Sequence, residues 1–466
     1  MSFPIIDIHL HPTLKPYGHS FYPNEKVTDA TSEACLWRSD PPSLIDEALE
    51  NTAGFPPYRQ ADFSSLVRGG ANVSIVSLYP IERGFVKPNL PKLIDDFLID
   101  LVSQFGKIRI KNIQSDSFNY FDDLNQEYAY LKKLDGRVPE NGVLKYQLIK
   151  DGSPMEAGSS ANSLLIIPSI EGAHCFCNGN DVTNPAAWGG VEDRIKAVKN
   201  WEHPPFFITF NHHFYNGLAS HAKSLFETIA KLLDQRFNMN QPVEGNKYIT
   251  STGYQVMDLL YTTTNGRRIL IDIKHMAKGT RQEFYQWRKQ KYPDVPIVCS
   301  HSGVYEYYKE EINLDANDID EICNSNGLIG IEIDQRILGY NASGNRFIKW
   351  LSNIFKSSEK SDEFWAEYFW KNVLCIAERC YERDKTKDPW RIICLGTDFD
   401  GVINPLNKFR TAVTYQNLAQ SLLYYMQRYW SGSSKIPKNH LGKDAHDVVY
   451  SIVYANARDF IGAHYR

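Results

Sequence analysis

Six places in the chain put metal-type or acid–base side chains directly after a short β-branched run. They are Asp7-Ile8-His9-Leu10-His11, Ile170-Glu171-Gly172, Asn211-His212, Lys274-His275, Ser300-His301-Ser302 and Thr397-Asp398-Phe399-Asp400-Gly401. Imidazole nitrogens mixed with carboxylate oxygens make a donor set that suits zinc, and also manganese, iron or cobalt. Residues two apart on a strand share a face, so His9 and His11 can point the same way. Glu171 has two oxygens and is the natural ligand to share between two ions. A single histidine at a strand end is more often a hydrogen-bonded structural residue than a ligand, and Asp-Phe-Asp-Gly alone reads as a turn. The joint pattern is different, because five of the thirteen histidines (His9, His11, His212, His275 and His301) fall at these positions. His19, His203, His221, His440, His446 and His464 have no such placement and read as surface or local structure. Asp7 reads as a hydrogen-bond acceptor in the barrel floor or as support for a ligand.

Such residues need a scaffold that brings strand ends together. Eight nearly continuous apolar runs occur, at 3–9, 72–79, 163–170, 205–211, 269–274, 295–300, 328–333 and 391–397. Strands buried on both faces of a parallel sheet read this way. Helix-period segments lie between them, near 91–105, 219–236, 252–264, 280–290, 316–325, 362–383, 411–430 and 444–460. Strand-then-helix repetition with eight strands predicts an α/β fold of the closed (β/α)8 TIM-barrel type. In that fold the active site lies at the C-terminal ends of the strands, where all six motifs fall. Long insertions are expected at about 10–71, 80–162 and 336–361, after strands 1, 2 and 7. With one site drawing on residues from His9 to Asp398, residues 1–466 are expected to form a single barrel domain.

The composition is that of an ordinary globular protein: 466 residues, 42% hydrophobic and 23% charged. Fifty-one basic against 55 acidic residues leave a net charge of −4, which lacks the basic footprint of a nucleic-acid binder. No apolar run approaches the ~18 residues of a membrane span. The start of the chain enters a strand-like run without the basic and apolar regions of a secretory signal. The eight cysteines, with Cys175 and Cys177 as an isolated C-x-C pair, read as free thiols of a reducing compartment, hence a cytoplasmic protein.

The motifs resemble those of the membrane (renal) dipeptidases, within the amidohydrolase superfamily. Ile170-Glu171-Gly172, Thr209-Phe210-Asn211-His212, Ile271-Asp272-Ile273-Lys274-His275, Ser300-His301-Ser302, Gly396-Thr397-Asp398-Phe399-Asp400-Gly401 and Asn456-Ala457-Arg458 carry the likeness. The resemblance implies a barrel with two divalent ions, usually zinc: His9 and His11 on one, His275 and His301 on the other, Glu171 bridging. It also implies that His212 contacts substrate and stabilises the tetrahedral intermediate, and that Asp398 takes the proton from the attacking water. Three departures stand out. His11 replaces the aspartate of the family's H-x-D motif, Lys274 replaces the serine before the strand-end histidine, and no arginine follows Ser302. An ammonium at Lys274 must point elsewhere or find an anion. Lys309 could serve as a point charge in place of the arginine.

The expected function is therefore hydrolysis of an amide or peptide bond in a small substrate, a dipeptide or related amide, by metal-bound hydroxide. The alternatives are a related hydrolase acting on a lactone, a deamination substrate or a phosphoester, or a non-catalytic barrel. No nucleic acid or membrane span is expected, and a homodimer is the assembly to test.

Overall fold

The structure is a computed structural model and describes residues 2–43, 46–47, 50, 56–86, 104–157, 163–224, 248–340 and 360–466. Among the described residues there are nine strands: β1 Ile5–Leu10, β2 Ala71–Leu78, β3 Lys145–Leu148, β4 Ser163–Glu171, β5 Phe207–Thr209, β6 Leu270–Asp272, β7 Val298–Ser302, β8 Leu328–Ile331 and β9 Ile393–Leu395. They run in the order β2-β1-β9-β8-β7-β6-β5-β4-β3, and a β2–β4 pairing closes the barrel. All the ladders are parallel. Eight of the strands are the eight apolar runs of the sequence. Their residues are buried almost throughout, as in Ile5, Ile6, Ile8 and Leu10 of β1.

The ninth strand was not expected. β3 pairs with the start of β4, residues 163–166, while β5 takes up the end of β4 at Ile170 and Glu171. It lies outside the closed ring. Its sequence, Lys-Tyr-Gln-Leu, alternates polar with apolar, and Tyr146 and Leu148 alone are buried. That is how an edge strand reads, and it carries no long apolar run to reveal it.

The interior is tight on the β7–β8–β9 side. A Cβ on Gly330 or Gly396 would lie 1.9 Å from the Ser300 carbonyl oxygen, so these strands approach through bare backbone. Helices cover the outside. Asp362–Arg383 has the expected bounds, and Ser251–Tyr261, Lys278–Lys291, Ala316–Asn324 and Tyr415–Ser431 lie where helical periodicity placed them. The last expected helix is Ala445–Tyr450 and Asn456–His464 joined by a π-type turn at Ser451–Ala455. Residues 219–224 are not helical: Ala219 bridges Ile249 and His221 bridges Met276. The remainder of that segment, most of 91–105 and residues 341–359 of the third insertion lie outside the described residues.

The two earlier insertions build onto the barrel. The second supplies helices Lys107–Gln114 and Tyr120–Lys132 as well as β3. The first clasps the strand-end side: Gln60 N–H and Ala61 N–H donate to the Asp400 carboxylate, and Lys15 Nζ lies 3.1 Å from it. One expectation is overturned here. Cys323 and Cys380 form a disulfide that ties helix Ala316–Asn324 to helix Asp362–Arg383, so the eight cysteines are not all free. Their Cα atoms lie 6.6 Å apart across the packed helices, a proximity that sequence spacing could not show. The other six are free thiols. Among the described residues no helix is long and apolar enough to cross a membrane.

Candidate metal centre

The barrel brings six strand ends to one point, and Glu171 occupies it. β4 is the longest strand, and its last residue reaches the mouth with its side chain buried. Five imidazole Nε2 atoms surround the carboxylate. His9 at 3.5 Å, His275 at 3.7 Å and His301 at 3.7 Å face Oε1; His11 at 2.9 Å and His212 at 3.5 Å face Oε2. Asp398 closes the ring, its Oδ1 lying 3.3 Å from His11 Nε2 and 3.8 Å from His9 Nε2. All seven side chains are buried.

Local structure explains the aim of each group. His9 and His11 are two apart on β1 and project together, their Nε2 atoms 3.1 Å apart. His275 and Asp398 sit past the ends of β6 and β9 in left-handed backbone, φ 65° and 60°. Non-glycine residues avoid that region, and such strain gathers where a side chain must be turned toward a site. Two buried aspartates hold the strand ends. Asp7 accepts from His9 N–H, Thr397 N–H and the Thr397 and Tyr415 hydroxyls, which locks β1 to β9. Asp272 accepts from Lys274 N–H, Ser300 N–H and the Thr209 and Ser300 hydroxyls, which locks β5, β6 and β7. Asp7 is thus a floor residue that orders the backbone under the site. Asp400 is wholly engaged with the first insertion.

The donor set fits divalent ions. His11 Nδ1 lies 3.1 Å from the Ser77 carbonyl oxygen and must donate to it, which leaves Nε2 facing inward, open to a proton or a cation. His275 and His301 bring their Nε2 atoms within 3.3 Å of each other. Inward-facing lone pairs at such distances repel unless a cation or proton lies among them. Glu171 Oε1 and Asp398 Oδ1 are buried with no hydrogen-bond partner. Three sets of donors lie within 4.8 Å of one another: His9, Glu171 and His301; His9, His11 and Asp398; Glu171, His212 and His275. Asp398 is therefore near enough to His9 and His11 to share an ion with them, and His212 stands equally close to His275.

Charge follows the same arrangement. Burial would raise Glu171, yet the surrounding His212, His11 and His9 hold it well below the usual carboxylate range. Burial opposes protonation of His11, but Glu171 and Asp398 push it up to about 10. Burial, then neighbouring cationic groups, press His275 and His301 well down, which keeps both neutral and able to donate a lone pair.

Lys274 finds an anion. Its Nζ lies 2.9 Å from Glu332 Oε2, just beyond β8, and both side chains are buried. Burial works against the ammonium, and Glu332 outweighs it, raising Lys274 above the ordinary lysine range. Lys309 is exposed. Glu332 and Glu82 are the two site carboxylates that motif reading missed. Glu82 holds His212, its Oε2 2.7 Å from His212 Nδ1. Both carboxylates stand within a few residues of strand ends, a position that could have singled them out.

Comparison with known proteins now bears on the site. Residues 232–434 match the model of a protein family described as membrane dipeptidase, peptidase family M19. That is the family whose motifs those of the sequence resemble. The chain is similar to that family over this stretch, which spans less than half of its length. Its fold is that of several solved structures. Dipeptidase AC, a family M19 metallopeptidase, superposes with a TM-score of 0.53 at 13% identity, covering 100% of this chain and 99% of its own. The probable dipeptidase PvdM from Pseudomonas aeruginosa gives 0.54 at 12% identity, covering 99% and 95%. A metallopeptidase from Rhodobacter sphaeroides, liganded with a phosphinate mimic of the dipeptide L-Ala-D-Ala, gives 0.52 at 12% identity, covering 100% of both chains. No curated protein matches the sequence.

Proposed function

We propose that the chain, residues 1–466 acting as one domain, is a binuclear metal-dependent peptidase that cleaves the amide bond of a dipeptide or a closely related small substrate. One observation carries the reading: a single buried carboxylate, Glu171, meets five imidazole Nε2 atoms at 2.9–3.7 Å. A bridging carboxylate between two histidine pairs is what two adjacent divalent ions require. The dipeptide mimic bound to the Rhodobacter sphaeroides relative supports the substrate class.

His9 and His11 would hold one ion, His275 and His301 the other, and Glu171 both; nitrogen-rich donors of this kind favour zinc. Two such ions, when bound, supply an acidified water near neutral pH and polarise the scissile carbonyl. The chain's own residues do the rest. His212 faces the carbonyl oxygen and stabilises the negative charge that develops there. Asp398 receives the proton of the attacking water and returns it to the leaving amine. Positioned proton transfer of this kind is typically worth ~10²–10⁴-fold. The buried Asp7 and Asp272 networks keep the strand ends still while this happens.

The cytoplasm is the compartment expected from the sequence, and a homodimer is the assembly proposed. The Cys323–Cys380 bond weighs against a reducing compartment, so thiol titration of the native protein tests the first and sedimentation tests the second. The function itself is tested by metal reconstitution followed by a panel of dipeptides with L- and D-residues, lactones and phosphoesters. Turnover of dipeptides, abolished together with ion binding in Glu171→Gln, supports the reading. Turnover confined to lactones or phosphoesters overturns it.

A further inference from the structure

Glu82 lies four residues past β2 and is buried against the loop that follows β5. Its two oxygens are fully engaged. Oε2 lies 2.7 Å from His212 Nδ1 and accepts the Tyr79 hydroxyl at 2.5 Å; Oε1 accepts Phe214 N–H at 3.2 Å. An ionised carboxylate can only accept hydrogen bonds. His212 Nδ1 must therefore carry a proton, and Nε2 is the atom left to face inward. The ring cannot swing away: Tyr79 packs edge-on at 4.7 Å between centroids and His213 lies at 3.9 Å.

We propose that Glu82 is a positioning residue that fixes the orientation of His212 through its Nδ1–H, so that one defined atom, Nε2, is presented to the reacting carbonyl. The inference rests on the reading of His212 as the group that faces substrate. Without Glu82, Nδ1–H loses its 2.7 Å acceptor, and the hydrogen bond that sets the plane of the ring is gone. Nε2 also lies 3.5 Å from Glu171 Oε2, which would draw the ring toward the carboxylate at the centre. The Tyr79 hydroxyl, fixed at the end of β2, keeps Glu82 from turning in response.

A purely structural role is the competing account, since Glu82 also joins the loops after β2 and β5 through Phe214 N–H. The two separate by experiment on the metal-loaded full-length protein, with Glu82→Ala, Glu82→Gln, His212→Ala and the Glu82→Ala/His212→Ala double variant. Removing such a supporting carboxylate typically costs ~10–100-fold. That loss is expected in kcat on a dipeptide, with KM and ion content within about twofold of wild type. The double variant is expected to be no slower than His212→Ala alone. Nitrogen-15 spectra of labelled histidine are expected to show a hydrogen-bonded His212 Nδ1–H in wild type that is lost in Glu82→Ala. Unchanged kcat in Glu82→Ala, a fully additive double variant, or an unchanged His212 Nδ1–H signal overturns the proposal. If Glu82→Ala does not fold, Glu82→Gln and Tyr79→Phe carry the same measurements. If the wild type turns over no dipeptide, the proposed function fails by itself, and the Nδ1–H spectra still decide whether Glu82 holds His212.

Discussion

Lys274 and Glu332 offer a quantitative test of how this barrel tolerates a lysine beside a cation site. The two groups form a 2.9 Å ion pair with 3% and 4% residue exposure, so water screens neither of them. Removing one partner of such a pair leaves a buried charge alone and costs about 3–5 kcal/mol. Replacing both with apolar side chains of similar volume is close to neutral. Glu332→Gln and Lys274→Met are therefore each expected to destabilise the metal-stripped protein by about 3 kcal/mol or more, roughly a hundredfold in the folded-to-unfolded ratio. Lys274→Met/Glu332→Leu is expected to recover most of that loss. A second consequence reaches the site. In Glu332→Gln the ammonium is uncompensated one residue from His275, so the ions should bind more weakly, while Lys274→Met should not show that loss. Urea unfolding followed by tryptophan fluorescence, together with titration of zinc into the stripped protein, measures both effects. Single variants within about 1 kcal/mol of wild type, additive in the double variant, would refute the reasoning.

Other consequences are briefer to state. Asp398→Asn should lower kcat by ~10²–10⁴-fold with both ions retained; loss of one ion instead would make Asp398 a ligand alongside His9 and His11. His221 is fully buried and burial presses it down to about 4, against an ordinary value of 6.5. The unfolded chain then protonates first as pH falls, so stability present above about pH 6.5 is lost on the way down to about pH 4. That loss amounts to about 3 kcal/mol. His221→Phe should flatten this part of a stability-versus-pH curve, and an unchanged slope would contradict it. The Cys323–Cys380 bond spans a sequence separation of 57 residues, so Cys323→Ser should cost about 2–4 kcal/mol in thermal or denaturant unfolding; no loss would show that the bridge is not formed in the native protein.

Much of the barrel was legible because its strands are buried on both faces. Runs such as Ile5-Ile6 and Leu164-Leu165-Ile166-Ile167 have no polar alternation to confuse them with half-exposed strands. β3 was not legible for the converse reason: an edge strand needs only Tyr146 and Leu148 inside. The metal-type residues were legible as well, since a fold that gathers strand ends turns six separate motifs into one cluster. What spacing could not convey was which group answers which. Glu332 neutralising Lys274 and Glu82 engaging His212 depend on strands and loops distant in sequence becoming neighbours across the barrel mouth. The disulfide is of the same kind, because only the packing of two helices brings Cys323 and Cys380 together. The first insertion's grip on Asp400 likewise had no local signal.

The central claim is that Glu171 bridges two ions between the pairs His9–His11 and His275–His301. Elemental analysis of the reconstituted protein, run in parallel on wild type and Glu171→Gln, tests it most directly. Two divalent ions per wild-type chain, and fewer than one in the variant, are the result the account predicts. One ion in wild type, or two retained without the Glu171 carboxylate, would contradict it.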